Sequence, residues 1–233
     1  YWPVRIYAAI IGHFMRMYDF KAAQRVDYFI ANSKNVAERI KKFYRRDSKV
    51  IYPPVELPQI SGVKKGDYFL VISRIVGGKS LGLAVKAALK LGISLKIAGK
   101  PAGYYTEYKE LQKLSGGNID FLGYVSDEEL VELYQKARAS LALSTDEDFG
   151  ITPVESMLVG TPVIAFKGGG YLESVVDGKT GVFFTESTVD SLIAAIKKFE
   201  MMNIKPEDCI AQAKKFAKER FVREIKLFIK KYA

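Results

Sequence analysis

Cysteine and histidine are almost missing from this chain: Cys209 and His13 are the single representatives among 233 residues. One cysteine excludes an intrachain disulfide framework and suits a reducing compartment, and a single histidine leaves too few ligands for a Cys/His zinc site and no partner set for a His-based triad. Long apolar runs are missing too. None reaches the roughly 18 residues of a membrane span, and no secretory signal pattern opens the chain. These absences lead to the expectation of a cytoplasmic protein. Negative charge is in short supply, with 26 Asp and Glu against 36 Lys and Arg, a net charge of +10 and an isoelectric point near 9.4. That excess predicts an anionic partner without choosing among a nucleotide, a phospholipid surface and a nucleic acid. The first residue is Tyr1 rather than Met, inside a helical pattern, so an N-terminal truncation is expected.

What is present is ample for a core, since 48% of the residues are hydrophobic and the length suits one large domain or parts of two. Residues 1–21 mix aromatics with Arg5, Arg16 and Lys21 at helical spacing, a basic amphipathic pattern compatible with peripheral membrane contact. A short strand at Asp27–Ala31, a helix at Asn35–Phe43 capped by Asn32 or Ser33, and a strand at Lys49–Tyr52 follow. Prolines and glycines between Pro53 and Gly66 read as a linker. From Tyr68 to Met201 short apolar strands alternate with amphipathic helices, which predicts an α/β fold with a doubly wound parallel sheet. Two lysine-rich helices, Pro206–Lys218 and Phe221–Tyr232, close the chain. The expected division is residues 1–54 as the end of one Rossmann-like domain, 55–205 as a second, and 206–233 as helices returning towards the first.

Doubly wound sheets bind ligands beyond the carboxyl ends of their strands. The loop after the strand Ser140–Leu143 runs Ser144-Thr145-Asp146-Glu147-Asp148-Phe149-Gly150-Ile151-Thr152-Pro153-Val154-Glu155, followed by Gly160-Thr161-Pro162. Two glutamates therefore stand eight residues apart across a glycine turn and a helix start, with Pro153 suited to the first helical position. Amide groups at such a start attract an anion, and a diphosphate fits. Glu155 can accept hydrogen bonds from ribose hydroxyls, and Glu147 can reach a sugar. Thr152 to Glu155 also fits a capping box, in which Glu155 only returns to the backbone of Thr152. Asp146-Glu147-Asp148 matches an Asp-x-Asp pattern of metal-dependent sugar transfer, and equally an acidic triplet in solvent.

The run EDFGITPVESMLVGTPVIAF resembles the signature of family 4 glycosyltransferases, a Glu-x7-Glu spanning a Phe-Gly turn before Gly-Thr-Pro-Val. ISRIVGGKS, KIAGK, FLGYVSDEEL and GGGYLESVVDGKTGVFF extend the resemblance, and RVDYFIANSKNVAERIKKFY with VIYPPVE is similar to mannosyltransferase-like members. The resemblance implies a GT-B fold and retaining transfer of a hexose from a GDP- or UDP-linked donor, without cofactor or metal, to a glycan or lipid-linked acceptor. It implies that Arg74 and Lys79 clamp the donor phosphates and that Glu155 binds ribose. By the same resemblance Glu147 would lie near the transferred sugar in a catalytic role, Gly123, Tyr124 and Val125 would form the base edge, and Phe149, Gly150, Ile151 and Thr152 the turn beside sugar and diphosphate. Gly168–Gly170 is a further candidate for that rim. The acceptor pocket would lie upstream of Tyr1, and His13, set among apolar positions, reads as structural.

Two rivals remain. Ser73–Ser80 nearly matches a phosphate-binding loop of nucleotide hydrolases and kinases, with Ser73 in place of the first glycine, and lacks a clear second acidic strand end for magnesium. A basic nucleic-acid-binding module would want stacking aromatics, and no such signature is present, so no nucleic acid partner is expected.

Overall fold

The computed structural model describes residues 2–58, 66–74, 79–100, 105–114 and 116–232. They fall into two compact units, Tyr1–Tyr52 and Pro53–Ala233. Val55 already belongs to the second unit, because its N–H donates to the carbonyl of Phe216 at 3.0 Å.

The first unit holds α1 (Trp2–Gln24), β1 (Ile30–Ala31), α2 (Lys34–Tyr44) and β2 (Lys49–Val50), with β1 and β2 parallel. Ser33 caps α2 as its position suggests, its Oγ accepting from the N–H of Val36 at 3.0 Å. The strand expected from Asp27 shrinks to two residues for a local reason. The Arg46 guanidinium donates to the carbonyls of Ala23, Val26 and Asp27, closing the end of α1 and satisfying backbone acceptors that a longer ladder would have used. Within this unit α1 buries only Ala23, while Trp2, Tyr7, Phe14 and Tyr18 stay exposed. His13 is also exposed, edge-on to Phe14, rather than enclosed as a structural histidine.

The second unit runs β3 (Phe69–Ile72), α3 (Leu81–Leu91), β4 (Leu95–Ala98), α4 (Tyr105–Leu114), β5 (Ile119–Gly123), α5 (Asp127–Lys136) and β6 (Ala139–Ala142). It continues with α6 (Ile151–Leu158), β7 (Val163–Phe166), α7 (Tyr171–Ser174), β8 (Gly181–Phe184), α8 (Val189–Glu200), α9 (Pro206–Ala213) and α10 (Lys218–Tyr232). All strand pairs are parallel, in the order β5-β4-β3-β6-β7-β8. The strands are nearly continuous apolar runs because both faces are covered: Leu70, Ile97 and Ile164 are wholly buried, each contributing about 1.5 to 3 kcal/mol of transfer free energy. The chain winds outward through β4 and β5, then crosses back to β6, so the order reverses between β3 and β6. This reversal opens a crevice at their carboxyl ends.

Other boundaries in this unit also depart from the sequence reading. Helix α6 begins at Ile151, so Pro153 is its third residue rather than its first, a place where the missing amide still removes no intrahelical bond. The tail helix stops at Ala213 and tightens into a 3-10 turn at Lys214–Phe216, which brings Phe216 inward against Phe149 with ring centroids 5.2 Å apart. Helix α9 lies on α6, with Pro206 packed against Gly160, where an added Cβ would come within 2.9 Å of the proline ring.

Candidate functional site

The crevice is built by the segments leaving β3 and β6. After β6 the backbone turns through Gly150, whose φ of 81° is the left-handed conformation that glycine adopts without penalty. Gly150, as the N-cap, has no side chain of its own to cap α6, and a helix start of this kind is suited to an anionic acceptor. Thr152 lies inside the helix and Glu155 bonds elsewhere, which removes the capping-box alternative.

Lys79 enters from the β3 side. Its Nζ lies 2.6 Å from Glu147 Oε2, a half-buried pair. Glu147 is held by a second loop as well. Its carbonyl accepts from the Gly170 N–H at 2.8 Å, and Gly169, with φ 55°, packs against the Glu147 backbone so closely that a Cβ would collide with it. Tyr171, almost fully buried, directs its hydroxyl to Glu147 Oε2 at 3.4 Å, and its ring fills the space beside Gly150, 2.5 Å from where a Cβ would stand. Burial, then the Glu147 charge, push the Tyr171 hydroxyl far above the ordinary phenol range, so it remains a donor at neutral pH.

Glu155 sits a turn further into α6 and is half-buried. Its Oε2 accepts from the Tyr134 hydroxyl at 2.9 Å. Burial raises its carboxyl above the ordinary glutamate range, and the Tyr134 hydrogen bond opposes that rise. The Phe149 side chain is turned into the core, so only its backbone is available to a ligand. Thr152 is partly exposed and Ile151 exposed at the mouth of the turn.

On the far side of the crevice, Arg74 is exposed just beyond β3. Gly99 follows β4, with its N–H on the carbonyl of Gly123 at 2.7 Å and with no room for a Cβ against the Ser73 carbonyl. The ends of β3, β4 and β5 therefore form a bare backbone floor. Tyr124 is exposed beneath the Lys100 ammonium, 4.3 Å from the ring centroid. Tyr124 and Val125 line a cleft of about 300 Å³ with Tyr68, Lys96 and Leu122. Among the described residues no group of three or more His, Cys, Asp or Glu is placed to hold a metal ion. The phosphate-loop rival turns on Ile75–Gly78, which lie outside the described residues.

Tyr134, Tyr171 and Gly99 are site residues that motif spacing missed. Tyr134 reads as one more apolar helix position, and Tyr171 follows three glycines whose purpose is visible only when they are seen packed against Glu147.

A family model described as glycosyl transferases group 1 matches residues 56–216, more than half of the chain. The chain belongs to the group 1 glycosyl transferases. Among curated relatives of this glycosyl transferase chain, the alpha-1,3/1,6-mannosyltransferase ALG2 of Homo sapiens is 29% identical over 207 residues, covering 74% of this chain and 50% of the relative. ALG2 of Dictyostelium discoideum is 34% identical over 173 residues, covering 62% and 40%. A D-inositol 3-phosphate glycosyltransferase of Mycobacteroides abscessus is 27% identical over 198 residues, covering 74% and 45%. The chain thus spans about half the length of the curated relatives it matches.

Solved structures of similar fold include Anabaena HepE in complex with UDP and glucose, with a TM-score of 0.78 at 22% identity over 88% of this chain and 63% of that one. Sucrose-phosphate synthase from Thermosynechococcus elongatus gives a TM-score of 0.82 at 17% identity over 94% and 61%. These neighbours are GT-B glycosyltransferases, and the doubly wound parallel fold expected from the sequence is borne out.

Proposed function

We propose that this chain carries the donor-binding half of a retaining glycosyltransferase that moves a hexose from a nucleotide sugar. The observation that carries this is the meeting of Lys79, Glu147 and the glycine-led start of α6 at the sheet's switch point, with Glu155 one turn behind. A nucleoside diphosphate leaving group gains negative charge as the glycosidic bond breaks. Lys79 as a mobile point charge, Arg74 as a planar fork and the α6 amides stabilise that charge without a metal or cofactor. Gly123, Tyr124 and Val125 border the base, Glu155 takes the ribose hydroxyls, and Glu147 faces the transferred sugar with Gly150, Ile151 and Thr152. The ALG2 relatives favour mannose as the transferred hexose.

The acceptor is a glycan or a lipid-linked glycan met at the cytoplasmic membrane face. The net charge of +10 supports that peripheral location, and among the described residues no helix is long and apolar enough to cross a membrane. A thermal-shift panel of GDP- and UDP-linked hexoses in chelator tests the donor assignment. A base-selective rise in melting temperature is expected. No rise with any nucleotide sugar, or a rise only with magnesium and ATP, would overturn it.

A further inference from the structure

Tyr134 lies on α5 and has no exposed surface, yet it is a tyrosine where phenylalanine would fill nearly the same volume. A buried hydroxyl is costly without a partner, and this one donates to Glu155 Oε2 at 2.9 Å. The residue is held from its other end. Its carbonyl accepts from the wholly buried Thr161 Oγ1 at 2.7 Å and from the Ala137 N–H at 3.2 Å. Thr161 belongs to the Gly-Thr-Pro turn that follows α6, so that turn fixes the backbone from which the Tyr134 ring reaches the carboxylate. Burial first, then the Glu155 charge, hold the Tyr134 hydroxyl well above the ordinary phenol range, and it does not cease to donate at any physiological pH.

We propose that Tyr134 is a positioning residue of the nucleotide site: its hydroxyl pins one oxygen of Glu155 so that the other meets the ribose. The proposal rests on the ribose role of Glu155 given above. The charged group of α5 that also acts on Glu155 is Asp127, which disfavours its ionisation, so Tyr134 is the contact that keeps the half-buried carboxyl an acceptor. Removing the hydroxyl lets Glu155 take a proton at higher pH and swing free.

The test is calorimetric titration of the whole 233-residue chain with GDP and UDP and with their 2′,3′-dideoxy forms, for wild type, Tyr134→Phe, Glu155→Gln and the double variant, from mildly acidic to mildly alkaline pH. Tyr134→Phe is expected to weaken the ribonucleotide roughly tenfold, the value of one hydrogen bond to a charged group. It should leave the dideoxy form unchanged and show a loss that widens as pH falls. In the Glu155→Gln background the same change should add nothing. Equal losses for both ligand forms, or no loss for either while Glu155→Gln still separates them, would overturn the positioning role and leave the ribose role standing. A wild type that binds both forms alike, with Glu155→Gln silent, would remove the ribose role and the proposal together. Should Tyr134→Phe not fold, 3-fluorotyrosine in place of Tyr134, a stronger donor of nearly the same shape, carries the test: tighter ribonucleotide binding supports the proposal and unchanged binding overturns it.

Discussion

Lys79 Nζ and Glu147 Oε2 stand 2.6 Å apart although 68 residues separate them in the chain. The topology makes them neighbours. Lys79 follows β3 and Glu147 follows β6, and these two strands flank the point where the winding of the sheet reverses. An ammonium so placed is already engaged before a diphosphate arrives.

That engagement has a measurable consequence. Glu147→Gln removes the negative charge beside Lys79 and releases the ammonium for phosphate oxygens. The nucleoside diphosphate alone is expected to bind the variant at least as tightly as wild type, while the nucleotide sugar loses roughly tenfold or more through its missing sugar contact. Calorimetry with the two ligands checks the split. Parallel losses for both would make Glu147 a structural residue.

Gly150 is irreplaceable for two separable reasons. Its φ of 81° strains any other residue, and a Cβ would lie 2.5 Å from the Tyr171 ring. Gly150→Ala is expected to lower stability by roughly 2 to 4 kcal/mol, combining left-handed strain with overpacking. Denaturant unfolding measures it. Adding Tyr171→Ala should not restore full stability, because the ring's departure relieves the overlap and not the backbone.

Glu155→Gln separates binding from folding. Burial raises the folded carboxyl above its unfolded value, so the stabilisation conferred by its proton is complete below the unfolded pKa and fades as pH rises through the folded one. Above that window the wild type keeps a half-buried charge that the amide does not have, and the amide carbonyl still accepts from Tyr134. The variant should therefore melt at or above the wild-type temperature in mildly alkaline buffer, with a smaller advantage in acid, while losing roughly 1.5 to 3 kcal/mol of nucleotide affinity. Paired melting curves and titrations decide it. A variant that melts lower in alkaline than in acidic buffer relative to wild type would contradict the linkage.

The parallel sheet was legible because its strands are short apolar runs separated by helical periods. Strand Gly181–Phe184 and helices Leu81–Leu91 and Asp127–Lys136 fall within the stretch from Tyr68 to Met201 where strands and helices were expected to alternate. Helix α6 was less legible, since Pro153 suggested a first position while Gly150, three residues further back, has the backbone conformation that stops the preceding loop. Lys79 and Glu147 could be named from their motifs, but not their contact, which depends on strand order. The family resemblance implied that Phe149 belongs to the turn beside sugar and diphosphate. Its side chain instead faces Phe216, a partner reachable only after α9 tightens into a 3-10 turn.

The buried Phe149 ring carries its own expectation. With 2% exposure it is a core residue, and Phe149→Ala should cost roughly 3 to 5 kcal/mol of stability, read from denaturant unfolding. A cost near zero would mean that the ring is free to reach a ligand.

A diphosphate bound by Lys79 at the start of α6 is tested most directly by calorimetry of Lys79→Ala and wild type in chelator, each titrated with a nucleoside diphosphate and with the parent nucleoside. The diphosphate is expected to lose roughly tenfold to a hundredfold in affinity while the nucleoside is unaffected. Equal losses for both ligands, or none for either, would contradict a phosphate role for Lys79 and with it the donor site.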